Sequence, residues 1–125
     1  MSPLPTYLIL LLLFIALLHL YFLWLEMFAW TGRGPKVFRG FPRELFKPTR
    51  AMAANQGLYN GFLAAGLLWS LWIQDPLWSR NVALFFSSCI ALAGLYGAYS
   101  ISRTIFWVQG FPALLSIGLL LRLSF

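Results

Sequence analysis

Acidic groups are nearly missing from this chain: Glu26, Glu44 and Asp75 are its only carboxylates, His19 its only histidine and Cys89 its only cysteine. One cysteine excludes an intramolecular disulfide and a cysteine-based zinc site. One histidine with one nearby glutamate is too small a ligand set for zinc or iron unless a second chain contributes. No metal is therefore expected, and no cofactor fingerprint is present. The run Gly32-Arg33-Gly34-Pro35-Lys36 superficially resembles a phosphate loop, but it lacks the Gly-Lys-Ser/Thr ending and the following soluble helix that such a loop needs. Cys89 lies in an apolar stretch and reads as a small packing residue.

Apolar side chains dominate instead. The composition is 61% hydrophobic and 18% aromatic with only 10% charged residues, far from the soluble norm. A bilayer core of about 30 Å takes roughly 20 helical residues to cross. Four stretches reach that length, at about 5–30, 51–73, 80–101 and 105–124. They predict an all-α fold: a single membrane domain over 1–125, built as a four-transmembrane-helix bundle with a basic loop at 31–48. The first stretch is expected to stay attached as a helix, because no positive region precedes it, its apolar run is too long for a signal peptide and no Ala-x-Ala cleavage pattern follows.

Charge sets the expected topology. With four crossings, one side holds Arg33, Lys36, Arg39, Arg43, Lys47, Arg50 and Arg103, seven of the nine basic residues, and only Arg80 and Arg122 lie opposite. The positive-inside rule makes the first side cytoplasmic and places both termini on the other. The net charge of +6 thus flanks membrane helices; it does not form the aromatic-lined basic groove of a nucleic-acid binder, and no nucleic-acid partner is expected. Trp30 and Trp107 on one side, and Trp69, Trp72 and Trp78 on the other, fit interfacial belts, with Trp24 lying deeper. Within the basic loop, Val37, Phe38, Phe41, Leu45 and Phe46 alternate with cations, as in a segment lying on the membrane surface with its cations toward anionic lipid. An ordinary positive-inside loop accounts for this pattern; a lid hinged at Gly32, Gly34, Pro35, Gly40 and Pro42 is the sharper alternative.

Ionisable groups at membrane depth are costly and seldom left without a role. Glu26 and His19 are the two in the first apolar run. At 100° per residue they differ by about 20° in direction and stand about 10.5 Å apart along one helix, too far for a direct bond. Each needs a partner from another helix, water or a ligand. Asn55, Tyr59, Gln56 and Asn60 cover one arc about 140° wide on the next helix. On the opposite flank Ala53, Gly57, Gly61 and Ala65 repeat at four-residue spacing, the small-xxx-small pattern that lets membrane helices approach closely. One flank of this helix is thus expected to pack while the other lines a polar site. Antiparallel order brings Tyr96, Tyr99, Ser100 and Arg103 from the end of the third helix, and Gln109 from the start of the fourth, to the same cytoplasmic level, with His19 as the floor.

Glu26 and His19 are accordingly the candidate acid and base. Asn55, Gln56, Tyr59, Asn60, Tyr96, Tyr99, Arg103 and Gln109 are the candidate substrate-binding groups. Amide and phenol donors at such a site can stabilise negative charge developing on a carbonyl or alkoxide. A plainer reading stands beside this one: Asn, Gln and Tyr also bond helices together without chemistry, and Arg103 either obeys the positive-inside rule or pairs with Glu26.

The runs His19-Leu20-Tyr21-Phe22-Leu23-Trp24-Leu25-Glu26-Met27-Phe28, Lys36-Val37-Phe38 and Ala54-Asn55-Gln56-Gly57-Leu58-Tyr59-Asn60-Gly61-Phe62-Leu63-Ala64 resemble the small bacterial integral membrane family known as domain of unknown function 1304. The likeness spans nearly the whole chain, and the Asn-Gln-Gly-x-Tyr-Asn-Gly block is its most specific part. The resemblance implies four membrane helices and the bacterial cytoplasmic (inner) membrane, and implies no particular reaction.

Three functions compete at this point. The first is an enzyme or binding protein for a small apolar or lipid-like molecule, such as an isoprenoid, quinone or lipid, that enters from the cytoplasmic leaflet. The second is a proton-coupled exporter, which needs a homodimer to form a pathway and sits poorly with the one-sided charge. The third is a structural or lipid-organising protein whose polar cluster only fixes packing. Because the helices are apolar around most of their circumference, a lipid-facing surface and a dimer interface look alike in sequence.

Overall fold

A computed structural model describes residues 2–125. The described residues are helical, with no strand among them. Helix α1 covers Thr6–Phe28, followed by the short α2 at Gly34–Val37 and a 3₁₀ turn at Arg43–Leu45. Then come α3 (Arg50–Trp72), α4 (Pro76–Ser100), α5 (Arg103–Ile105), a π turn at Phe106–Gly110 and α6 (Phe111–Leu121). Three helical stretches are long and apolar enough to cross a membrane: Thr6–Phe28, Pro76–Ser100 and Arg103–Leu121. Helix α3 has the same 23 residues as α1. It is not among the three, because Arg50, Asn55, Gln56 and Asn60 dilute its first turns.

The chain divides into two compact units, one of residues 17–64 and one of residues 1–16 together with 65–125. In the second of these, α4 packs along α6, α5 and the π turn. The interior there is made of small groups. Ser79, Ala83, Ser87, Ile90, Ala91 and Gly94 are buried on α4, and Ala113, Ser116 and Leu120 on α6. The Ser87 and Ser116 hydroxyls share a hydrogen bond of 3.0 Å, and Ser116 lies 2.8 Å from the Ala113 carbonyl. Ser79 donates to the Ser70 carbonyl at 2.8 Å, and Ser70 to that of Leu67 at 2.6 Å. Small side chains with their own hydrogen-bond partners let helices pack closely where no hydrophobic drive separates protein from lipid. These serines were not singled out from the sequence, where a hydroxyl in an apolar run carries no periodic signal.

Two local features depart from the hydropathy reading and have clear causes. Helix α4 begins at Pro76, because Asp75 is its cap: the Asp75 carboxylate accepts from the Trp78 backbone N–H at 2.8 Å and proline occupies the first helical position. Proline fits there since its missing N–H would have no intrahelical partner. The same Gln74-Asp75-Pro76 turn that ends α3 therefore starts α4. The π turn precedes Pro112, whose ring would strike the carbonyl four residues back in a regular helix; widening the helix by one residue, with the Phe111 N–H bonded to the Phe106 carbonyl, relieves that clash.

The other unit holds the end of α1, the basic loop and the start of α3. The loop is folded around four rings. Trp30 lies 5.5, 5.9 and 4.8 Å from the centroids of Phe38, Phe41 and Phe46, and Phe41 meets Phe46 edge-on at 4.9 Å. Phe46 is buried. The indole N–H of Trp30 donates to the Thr49 hydroxyl at 3.0 Å, and that hydroxyl in turn bonds the Leu45 carbonyl at 2.7 Å. Aromatic pairs in such tilted and edge-on arrangements add roughly 0.5–1.5 kcal/mol each beyond their burial. The loop is thus ordered by its own rings.

Candidate functional site

Glu26 lies on the third-last position of α1 and is half-buried. Its Oε1 accepts a hydrogen bond of 2.7 Å from the Nδ2 of Asn60, nearly three turns into α3. Close approach of the two helices makes that bond possible. A Cβ on Gly57 would sit 2.8 Å from Met27 Cγ, 3.0 Å from Glu26 Cβ and 3.0 Å from the Leu23 carbonyl oxygen; one on Gly61 would sit 2.5 Å from Leu23 Cδ1. Leu23, Glu26 and Met27 form one face of α1, spaced i, i+3, i+4. That face lies against the Gly57 and Gly61 flank of α3, as expected of a small-xxx-small stripe.

Of the four polar residues on the α3 arc, the structure brings Asn60 to Glu26. Helical geometry explains the choice. Asn60 is the end of the arc nearest the glycine flank, about 60° from Gly57, while Tyr59 is about 160° away and Asn55 points almost opposite. Asn55, Gln56 and Tyr59 are exposed on the far side, where the Tyr59 ring lies 6.1 Å from that of Phe62. His19 is fully buried and meets the Phe22 ring edge-on at 5.3 Å. Tyr21 accepts a 3.3 Å hydrogen bond from Arg33 Nε.

The remaining candidates belong to the other unit. Tyr96 and Tyr99 are exposed on α4, Ser100 donates to the Tyr96 carbonyl at 2.7 Å, Arg103 is exposed in α5, and Gln109 is half-buried in the π turn. Gly110, one residue beyond Gln109, lies against Gly94 of α4: a Cβ on Gly94 would fall 2.6 Å from both Gly110 Cα and Gly110 N. Cys89 is a free, half-buried thiol.

Chemically, the carboxylate with an amide on one oxygen can accept a proton or further hydrogen bonds, because a carboxylate offers about four acceptor positions. The described residues contain no group of three or more His, Cys, Asp or Glu placed to hold a metal ion.

Three membrane-length helices and a carboxylate held by a neighbouring amide on one of them define a helical membrane protein. It belongs to the family described as "Protein of unknown function (DUF1304)", whose model matches residues 13–121. A curated relative, "Uncharacterized protein YpaA" from Lactococcus lactis subsp. lactis (strain IL1403), is 29% identical over 111 residues, covering 87% of this chain and 92% of the relative. No solved structure matches the chain.

Proposed function

We propose that this protein crosses the bacterial cytoplasmic membrane four times, with both termini on the non-cytoplasmic side, and that Glu26, braced by Asn60, receives a small apolar or lipid-like molecule from the cytoplasmic leaflet. The observation that carries this reading is the 2.7 Å bond between the Glu26 carboxylate and the Asn60 amide at the end of a membrane-length helix. A glutamate kept at such a place is costly unless it does something a neutral group cannot. Binding a ligand donor, or passing a proton, is what separates it from glutamine. The fourth crossing in this reading is α3, whose 23 residues span about 34 Å at 1.5 Å per residue, enough for a bilayer core. His19, one full face-repeat deeper on α1, acts as the second acid-base group through a ligand or water spanning the roughly 10.5 Å between them.

A structural role is the second reading, favoured by the contact between Gly57 and the Glu26 side chain: the same bond can serve only to lock α1 to α3. Glu26→Gln separates the two. Glutamine keeps an oxygen that accepts from Asn60 and loses only the charge and the titratable proton. Native mass spectrometry of wild type and Glu26→Gln released from lipid nanodiscs is expected to show a bound small molecule on the wild type. It should be retained at least about tenfold less by the variant, the scale of one lost charged hydrogen bond. Equal ligand content on both, or none on either with unchanged stability, would leave the lock as the function of the pair.

A further inference from the structure

A half-open surface cavity of about 460 Å³ lies in the basic loop, lined by Pro35 and the exposed Lys36, Arg39 and Arg43. We propose that it is a binding site for a phosphate-bearing group, held by Lys36, Arg39 and Arg43. The proposal is independent of the Glu26 reading. Three features support it.

The cations are placed by structure. Lys36 is in α2, Arg43 opens the 3₁₀ turn and Arg39 stands between them, in the turn that the Phe41 N–H closes on the Phe38 carbonyl at 3.1 Å. The rings of Phe38 and Phe41, which flank that turn, and of Phe46 all pack on Trp30. Arg39 is anchored through its Nε, which donates to the Lys36 carbonyl at 3.3 Å. The two terminal nitrogens of its guanidinium are left for a ligand, in the fork that matches phosphate oxygens.

Charge at the cavity is of one sign. Glu44, the nearest acid in sequence, is not among the lining residues, so three cations converge without a counter-charge. Such an arrangement raises the local anion concentration and is relieved by a multiply charged anion.

Size points beyond a bare ion. The volume falls within the range of about 300–1,000 Å³ typical of small-molecule sites, enough for a phosphate with its organic substituent. A phosphate in this place can belong to an anionic phospholipid, because the loop directly follows the membrane-length α1 and basic clusters there attract anionic headgroups. It can equally belong to a soluble phosphorylated molecule. The chemistry of recognition is shared.

The test compares two double substitutions that remove the same charge. Arg39→Gln with Arg43→Gln removes two of the cations lining the cavity; Lys47→Gln with Arg50→Gln removes one from the loop and one from the first residue of α3, both outside the lining. Each protein is reconstituted in nanodiscs of phosphatidylcholine with phosphatidylglycerol, and lipid retained after detergent release is counted by native mass spectrometry. A parallel titration uses glycerol phosphate on the detergent-solubilised protein. Wild type is expected to retain phosphatidylglycerol over phosphatidylcholine, and the cavity variant to lose about tenfold more of that preference than the control. The same contrast seen with glycerol phosphate alone would assign the site to a soluble ligand. Equal losses in the two variants in both measurements, or neither a lipid preference nor glycerol phosphate binding in wild type, would overturn the proposal. Lys36→Gln alone reads the same cavity should the double variant fail to assemble.

Discussion

Gly94→Ala is expected to destabilise the protein by about 3 kcal/mol or more, the upper part of the range for overpacking substitutions. The added methyl would sit 2.6 Å from Gly110 Cα and 2.6 Å from Gly110 N. Both are main-chain atoms, so no side-chain rotation relieves the contact; α4 and the π turn would have to separate. Separation also strains the π turn itself, which exists to accommodate Pro112. Two other glycines calibrate the result. A Cβ on Gly118 meets nothing within 4 Å, and one on Gly61 meets the tip of the Leu23 side chain at 2.5 Å, which can turn away. Gly118→Ala should therefore leave stability unchanged or raise it by up to roughly 1 kcal/mol through helix propensity, and Gly61→Ala should cost little. Unfolding by sodium dodecyl sulfate titration in mixed micelles, followed by tryptophan fluorescence, measures all three. If Gly94→Ala and Gly118→Ala unfold at the same denaturant fraction, the close crossing of α4 over the π turn is not a feature of the folded protein.

What the sequence made legible was regular and what it hid was local. The apolar run from Leu8 to Trp30 marked α1, because a membrane-length hydrophobic stretch has few other solutions. The glycine and alanine spacing on α3 marked a packing flank, and Gly57 and Gly61 do face Leu23, Glu26 and Met27. That Asn60 would be the residue to reach Glu26 also lay in the pattern, since it is the member of its polar arc closest to the glycine flank; reading the four polar residues as one surface obscured it. Hydropathy could not place the start of α4, which depends on one carboxylate capping one N–H, nor the π turn, which breaks the 3.6-residue period assumed in reading a helix. The aromatic core of the basic loop was hidden for another reason. Trp30, Phe38, Phe41 and Phe46 have no period, and whether rings at a membrane surface face lipid or one another depends on the path of the chain between them.

Gly57→Leu carries the second large effect and links packing to the site. The new side chain would begin 3.0 Å from the Leu23 carbonyl oxygen and 3.0 Å from Glu26 Cβ, with Met27 Cγ at 2.8 Å. Met27 can move aside, but the Leu23 carbonyl belongs to the backbone of α1. The helices must part, at a cost of about 3 kcal/mol or more. Asn60→Leu alone removes the donor to Glu26 Oε1, and an inter-helix side-chain bond of this kind is worth about 1 kcal/mol in a membrane. The two substitutions should not add. Once Gly57→Leu has moved α3 away, Asn60 no longer reaches the carboxylate, so Asn60→Leu in that background is expected to cost little further. A double-mutant cycle in the same denaturation assay gives the coupling directly. Coupling of about 1 kcal/mol would mean that the glycine contact delivers Asn60 to Glu26. Strict additivity would mean that the bond forms whether or not the helices touch at Gly57, and the packing flank and the carboxylate would then be separate devices on one pair of helices. Coupling, in turn, makes a sharp demand on function: a ligand held by the braced carboxylate should be lost from Gly57→Leu although Glu26 itself is untouched.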